Sequence, residues 1–367
     1  TITLNLTAIL ILSSYFLKYL PEPLMKKSIG AVTINDVAAA AKVSTATVSR
    51  ALNRPETVSA SLREKINSVI KKLGYIPNAG ARALMLKRSG TIGAIVPTLD
   101  NAIFAQGLAE FQKQLNQAGY QLLVASTNYD PAIESNQINN LLARGVEGVA
   151  LFGVSQERDA LKVLKNRSIP YIHVGSLTTP LQGFASGFDN REAIKLGVQH
   201  LLELGHKHFG ILTGITTDND RAKDRVAGAL ELLAQNKIHL KPEVIVECHY
   251  ELQEARLGLK KILLSNPKIT AIICGQDVLA LGAILEAQNQ GIKVPKELSI
   301  IGFDDLEISR HILPSLTTIH IDAVSMWAQA ANHLISQING VENLPKKIKT
   351  GVNLVIRESS AIAPKKS

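Results

Sequence analysis

The chain has 367 residues, of which 46% are hydrophobic and 19% charged, enough for two or three domains with sizeable cores and excluding a disordered or collagen-like chain. Two cysteines, Cys248 and Cys274, exclude a disulfide-stapled scaffold and a multi-cysteine zinc or iron–sulfur framework, and suit a reducing cytoplasm. Residues 25–90 hold 12 basic and three acidic side chains, which accounts for the whole net charge of +9, whereas residues 91–367 hold 27 of each sign. A basic module joined to a neutral body points to an anionic partner, and nucleic acid is the commonest.

The chain opens with an almost uncharged stretch containing Ala8-Ile9-Leu10-Ile11-Leu12. No basic residues precede the run and no small-x-small site follows it, against a signal peptide. Asn5, Ser13 and Ser14 interrupt it, against a membrane anchor. Because Met25-Lys26-Lys27 resembles an ordinary start, residues 1–24 are read as an upstream extension outside the functional protein.

In the basic module, Thr33 and Asp36 have the spacing of a capping box, and Ile34, Val37, Ala38 and Ala41 recur at helical spacing behind them. Lys42-Val43-Ser44 interrupts that helix, and Ser44 is placed to cap a second one running to about Leu52. Val48 and Leu52 fall on one side of it; Thr45, Ala46, Ser49, Arg50 and Asn53 fall largely on the other. A third helix begins near residues 59–61, with Ser61 and Glu64 again three apart, and Gly74 supplies its stop. Two short helices joined by a tight turn make a helix-turn-helix, whose second helix fits the major groove. That geometry calls for short side chains at the helix start (Thr45, Ala46) and a long bidentate donor on the same face (Arg50). Ser44, Thr47, Asn53 and the lysines are placed to meet phosphates.

Three runs, Thr33-Ile34-Asn35-Asp36-Val37-Ala38, Val43-Ser44-Thr45-Ala46-Thr47-Val48-Ser49-Arg50-Ala51-Leu52-Asn53 and Leu73-Gly74-Tyr75-Ile76-Pro77-Asn78, resemble the DNA-binding head of the LacI/GalR transcriptional regulators. The resemblance implies that Thr45, Ala46 and Arg50 read bases. It also makes residues 78–84 a hinge helix that forms on operator DNA, with Asn78 and Arg82 in the DNA-binding set and Leu84 as an apolar wedge in the minor groove. Gly80 inside that helix costs about 1 kcal/mol relative to alanine, so the hinge is expected to depend on DNA for its folding.

From Thr91 the pattern changes. Short apolar runs at 92–96, 122–125, 149–152, 171–174, 209–212, 244–247, 271–274 and 299–302 alternate with helical stretches at 103–118, 131–143, 157–166, 190–204, 222–236, 252–264 and 276–289. This alternation predicts two parallel sheets with helices on both faces and a ligand site between them, at the carboxyl ends of the strands. Residues following those strands include Phe104, Asp189 and Asn190, Arg221 and Arg225, Gln276, and Asp304 and Asp305. Asp189 enters a helix whose free N–H groups can face an anion.

The likeness to the family continues through this body to about Ser360, in Leu202-Glu203-Leu204-Gly205-His206, Arg225-Val226-Ala227-Gly228, Gln276-Asp277-Val278-Leu279-Ala280-Leu281-Gly282-Ala283 and Gly302-Phe303-Asp304-Asp305 among others. It implies a periplasmic-binding-protein-like core of two parallel-sheet subdomains with three crossovers. By position, Arg225, Gln276 and Asp304 match effector-contacting residues, and Phe104, Arg221 and His320 lie at positions that vary with the ligand. Gln276 stands where asparagine is usual, and Gly175 where some sugar-binding members have an acid. Arg221 and Arg225, one turn apart, leave a sugar acid open beside a neutral sugar.

Enzymatic readings find little support. Adjacent Asp304 and Asp305 point in different directions in extended chain, and His206-Lys207-His208 and Cys248-His249 lack partners to complete a metal site. No G-x-S-x-G or Walker loop is present, and no cofactor or metal is expected. A periplasmic-type solute-binding protein would share the body but not the basic head. The reading is therefore a cytoplasmic, sequence-specific transcriptional regulator, a repressor, that reads a pseudo-palindromic operator as a homodimer under control of a sugar or sugar acid. The expected domains are a helix-turn-helix head at 25–76, a hinge and linker at 77–90 and an effector-binding and dimerisation domain at 91–360 with a tail at 361–367. The larger domain divides into subdomains of about 91–190 plus 322–350 and 191–317 plus 351–360. No apolar heptads follow, so a coiled-coil tetramer is not expected.

Overall fold

The computed structural model describes residues 32–78, 80, 85, 88–154, 158–177 and 183–365. Residues 1–24, Arg82 and Leu84 lie outside the described residues. The chain forms two compact units that divide between Arg88 and Ser89.

The N-terminal unit is α1 (Ile34–Ala41), α2 (Thr45–Asn53), a 3-10 turn (Pro55–Thr57) and α3 (Ala60–Leu73). Both halves of the capping box form: Thr33 N donates to Asp36 Oδ2 at 2.8 Å, and Asp36 N to Thr33 Oγ1 at 3.4 Å. The bonds that Thr33 N and Thr33 Oγ1 donate to Asp36 Oδ2 hold its carboxyl below the ordinary carboxylate range. Lys42 ends α1 in left-handed backbone (φ 56°), which lets the chain turn at once into α2. Val37, Ala38, Ala41, Val48, Ala51 and Ile66 bury together as the core of the three helices. α3 starts at Ala60, so Ser61 lies within its first turn and does not cap it; Gly74 closes it at φ 66°. Beyond it, Asn78 Oδ1 accepts from Gly80 N at 2.8 Å, and Gly80 and Met85 are helical.

The C-terminal unit contains two six-stranded sheets. The first joins β1 (Thr91–Val96), β2 (Gln121–Ser126), β3 (Val149–Phe152), β4 (Tyr171–Val174), β5 (Phe184–Gly187) and β11 (Lys347–Lys349), in the order β11-β5-β4-β3-β1-β2. The second joins β6 (Phe209–Gly214), β7 (Ile245–Cys248), β8 (Ala271–Cys274), β9 (Ser299–Asp304), β10 (Thr317–Ile321) and β12 (Val352–Val355), in the order β12-β10-β9-β8-β6-β7. Neighbours are parallel except β12, which runs antiparallel to β10. The chain passes between the sheets after β5, after β10 and after β11.

Helices cover the faces. In the first lobe α4 (Ala102–Gln117) packs on α11 (Ala323–Ile338), with α5 (Pro131–Ala143) against β1 and β2; α6 (Arg158–Asn166) adds Leu161 and Leu164 to the core. In the second lobe α7 (Asn190–Glu203) pairs with α8 (Asp220–Gln235), and α9 (Leu252–Ser265) with α10 (Asp277–Asn289). Alternate strand residues serve opposite faces: Ile273 and Ile301 join one cluster, Ile272 and Ile300 another. Both faces are apolar, so the strands read as continuous hydrophobic runs, and each buried isoleucine contributes about 1.5–3 kcal/mol. Strands β5, β10, β11 and β12 and helix α11 add to the expected elements. β9 extends to Asp304, and β7 starts at Ile245 because Val244 belongs to a 3-10 turn.

Among the described residues no helix is long and apolar enough to cross a membrane, and no three His, Cys, Asp or Glu side chains cluster to hold a metal ion.

Candidate nucleic-acid interface and effector cavity

The outer face of α2 is built by its cap. Ser44 Oγ accepts from Thr47 N at 3.1 Å and pairs with Thr47 Oγ1 at 2.9 Å, so the positive end of the helix carries two hydroxyls. Thr45, Ala46 and Arg50 are exposed on one surface, and Arg50 Nε donates to Ala46 O at 3.4 Å. Ser49 and Asn53 are half-buried: Asn53 Nδ2 donates to Ser49 Oγ at 3.3 Å, and Ser49 Oγ to Met85 Sδ at 3.4 Å. Lys42, Arg54, Lys65, Lys71 and Lys72 are exposed on the same unit. A short helix with small polar residues at its start, one long guanidinium and a basic surround meets the requirements of major-groove docking.

In the C-terminal unit a narrow cavity lies between the lobes. Phe104 and Phe152 of the first lobe, Trp327 of α11 and Phe188 supply aromatic walls. α8 supplies the cations. Asn219 caps that helix, and Arg221 and Arg225 project from its first two turns, 6% and 9% exposed. A buried guanidinium is tolerated only with partners, and both have them. Arg221 pairs with Asp220 at 2.7 Å and lies 4.8 Å from the Phe152 centroid. Arg225 Nε donates to Asn190 Oδ1 at 3.0 Å, its Nη1 donates to Gly275 O, and its plane lies 4.0 Å from the Phe303 centroid.

Asp304 ends β9 with φ 112°, a backbone conformation costing of order 1–3 kcal/mol for a residue with a side chain. Burial pushes its carboxyl up to about 6, against the pull of the Arg225 charge and the Gln276 amide. Asp304 Oδ2 and Gln276 Oε1 are buried without a hydrogen-bond partner among the described residues. Such acceptors cost free energy until a donor arrives. The cavity therefore offers guanidinium N–H groups and two waiting acceptors between aromatic faces, a set suited to hydroxyl groups on a ring.

Phe104, Arg221, Arg225, Gln276 and Asp304 line this cavity together. Asp189 and His320 are not among its lining residues. Asp189 is exposed and caps α7, accepting from Arg191 N and Glu192 N at 2.9 and 3.1 Å; its carboxylate already occupies the helix end where an anion was expected. Its neighbour Asn190 takes the inward place, linking Gly175 O to Arg225. His320 Nδ1 pairs with Asp305 Oδ2 at 3.1 Å, a carboxylate shared with Arg310 and Arg357. Asp304 and Asp305 thus face different partners. The neighbouring Asp277, fully buried, accepts from Leu306 N at 2.8 Å and from the hydroxyls of Ser309 and Thr318. Burial and the Asp304 charge push it up to about 7.

At Gly175 a Cβ would meet the Phe152 ring at 2.7 Å, so that ring fills the space an acidic side chain would need. Tyr129, Asn219 and Tyr250 also line the cavity and border a larger outer cleft. Burial raises the Tyr129 hydroxyl above the usual phenol range. These three were missed. Tyr129 and Tyr250 each follow a strand by two or three residues, the signal by which the strand-end rule finds ligand residues.

Residues 33–78 match the family described as bacterial regulatory proteins, lacI family, and residues 198–360 match a periplasmic binding protein-like domain. The ribose operon repressor of Haemophilus influenzae is 30% identical over 327 residues, covering 89% of this chain and 98% of that protein. The chain belongs to the lacI family of bacterial regulatory proteins. The transcriptional repressor PurR of the same organism is 32% identical over 338 residues, with the same coverage. The lac repressor dimer bound to operator and the anti-inducer ONPF superposes with a TM-score of 0.80 at 29% identity, covering 90% of this chain and 99% of that one. As in its lacI-family relatives, the basic helix-turn-helix unit is a DNA-binding head, and the protein is a DNA-binding transcriptional regulator. A solute receptor without DNA function does not account for the head.

Proposed function

We propose that this protein is a cytoplasmic repressor that grips a two-fold symmetric operator as a homodimer and loosens its hold when a neutral sugar ring enters the interlobe cavity. The observation that carries the effector reading is the pair of buried, unpartnered acceptors, Gln276 Oε1 and Asp304 Oδ2, beside Arg225. Charge favours a neutral ligand over a sugar acid. Arg221 is already paired with Asp220, and Arg225 faces Asp304, so the cavity's charges balance without an anion. A carboxylate would leave Asp304 facing a second negative charge in a desolvated site.

In the head, Thr45, Ala46 and Arg50 read base edges, while Ser44, Thr47, Asn53 and the surrounding lysines hold phosphates; Ser49 supports Asn53. Asn78, at the foot of the hinge, completes the described part of this set. Two apolar surfaces support pairing of two copies. β2 ends the first sheet and carries the exposed Val124, and α9 and α10 expose Leu252, Leu257, Leu264 and Leu285. The ligand acts by its differential affinity for two lobe arrangements, because Phe104 and Phe152 come from one lobe and Arg225, Gln276 and Asp304 from the other. Coupling of this kind is worth about 1–3 kcal/mol.

The test is operator binding by the full chain against neutral pentoses and hexoses and their aldonic and uronic acids. A neutral sugar is expected to lower operator affinity, with loss of that response in Asp304→Asn. A response to sugar acids alone would overturn the reading.

A further inference from the structure

The inner cavity and the outer cleft have three lining residues in common: Tyr129, Asn219 and Tyr250. Tyr129 follows β2 of the first lobe and Tyr250 follows β7 of the second, so their rings meet across the cleft, with centroids 5.6 Å apart and planes tilted by 39°. The Tyr250 ring is held on two sides. Asn219 Nδ2 donates to Tyr250 Oη at 3.3 Å, while Asn219 Oδ1 caps α8, the helix that bears Arg221 and Arg225. The Tyr250 ring lies on Gly214, the last residue of β6, where any Cβ would collide with it. On the other side, Asn128 and Tyr129 both take left-handed backbone, φ 51° and 63°.

We propose that Tyr129 and Tyr250 form an interlobe gate that limits the effector to a single sugar ring and sets the rate at which it exchanges. The proposal rests on the effector reading above. With the gate closed, Phe104, Phe152 and Trp327 wall the cavity on one side and the two tyrosines divide it from the outer cleft. A second ring joined to the first would have to occupy the space of the tyrosines. Since each tyrosine belongs to a different lobe, opening the lobes parts the rings, and closing them traps the ligand. The Asn219 link ties the gate to the helix that holds the ligand, so occupancy and closure reinforce one another.

The chain's single tryptophan, Trp327, lines the cavity and reports occupancy by its emission. The experiment is stopped-flow and equilibrium titration of the full chain with ribose, xylose, glucose and galactose, and with maltose, cellobiose, lactose and melibiose. Wild type is expected to respond to a monosaccharide and to bind disaccharides at least 100-fold more weakly. Tyr129→Ala and Tyr250→Ala should release the monosaccharide at least tenfold faster and bring a disaccharide containing it within tenfold of its affinity. Gly214→Ala should do the same with both tyrosines intact, by displacing the Tyr250 ring, and Tyr250→Phe should keep the size limit. Circular dichroism checks that each variant folds; the wild-type size limit stands as a test without them. Disaccharides bound by wild type as tightly as monosaccharides, or folded variants with unchanged exchange and ligand range, would overturn the gate. No emission response to any of these sugars in wild type or variants would overturn the effector reading, and the gate with it.

Discussion

The head and the cavity both work through arginines, but they hold them in opposite ways. Arg50 stands exposed on α2, and among the described residues its guanidinium bonds only to Ala46 O of its own helix. Arg225 is 9% exposed and fixed by Asn190, Gly275 and the Phe303 ring before any ligand arrives. An exposed guanidinium keeps its rotamer freedom and its counterions until DNA displaces them, so its contribution depends on salt. A buried one has already met its desolvation cost during folding; it acts as a preorganised donor that salt hardly screens, and it pulls against the burial that raises the carboxylate beside it. The two regions should therefore respond to different perturbations.

The largest separation is expected from Arg225→Ala. Hydrogen bonds to a charged group contribute about 1.5–3 kcal/mol, so effector affinity should fall by about 10–150-fold while operator affinity changes little. Fluorescence titration beside operator binding checks both halves, and a normal induction curve would break the comparison. Arg50→Ala should do the reverse. Operator discrimination should relax by about 1–3 kcal/mol at the contacted base pair with effector affinity unchanged, measured on duplexes substituted one pair at a time.

Salt should sharpen the contrast further. Log operator affinity should fall linearly with log salt, by about 0.9 for each phosphate neutralised, whereas effector affinity should stay nearly flat. Equal slopes would mean that the cavity is as solvated as the head.

The smallest effect concerns pH. Asp304 is raised from 3.8 to about 6, so the native state binds the extra proton and this residue's contribution to stability decreases as pH rises between those values. In the folded protein the carboxylate that accepts the effector forms around pH 6, so effector affinity should rise from pH 5 to pH 7. Relative to Asp304→Asn, wild type should lose thermal stability between about pH 4 and pH 6 and gain effector affinity through pH 6. A parallel pH response in the two proteins would show that another group titrates.

The head and the cavity also differed in how far they could be read in advance. Between Thr33 and Asn53 the contacts that shape the reading helix are local, apart from Ser49 to Met85: the Thr33–Asp36 box, the Ser44–Thr47 cap and the Arg50–Ala46 bond each span a few residues, so spacing alone locates them. In the body, strand–helix alternation placed the sheets because their residues are apolar on both faces. β5 and β12 escaped notice because Phe184-Ala185-Ser186-Gly187 and Val352-Asn353-Leu354-Val355 are short and carry little apolar patterning. The cavity draws Phe104, Arg225, Asp304 and Trp327 from widely separated elements, and there position after a strand was an incomplete guide. It pointed to Asp189, whose carboxylate turned back to cap its own helix, ahead of the adjacent Asn190, whose amide faces inward. The family resemblance pointed to His320, which pairs with Asp305, and neither guide reached Tyr129 and Tyr250, whose place depends on both lobes meeting.

The central claim is that one chain couples sequence-specific DNA binding to occupancy of the interlobe cavity. The most direct test is fluorescence anisotropy of the full chain on a duplex selected from a random-sequence pool, against a scrambled duplex, with and without each neutral sugar. The account predicts a preference for the selected duplex of about 10³ or more, reduced by a sugar that also changes Trp327 emission. Equal affinity for both duplexes, or a preference that no cavity-binding sugar alters, would contradict it.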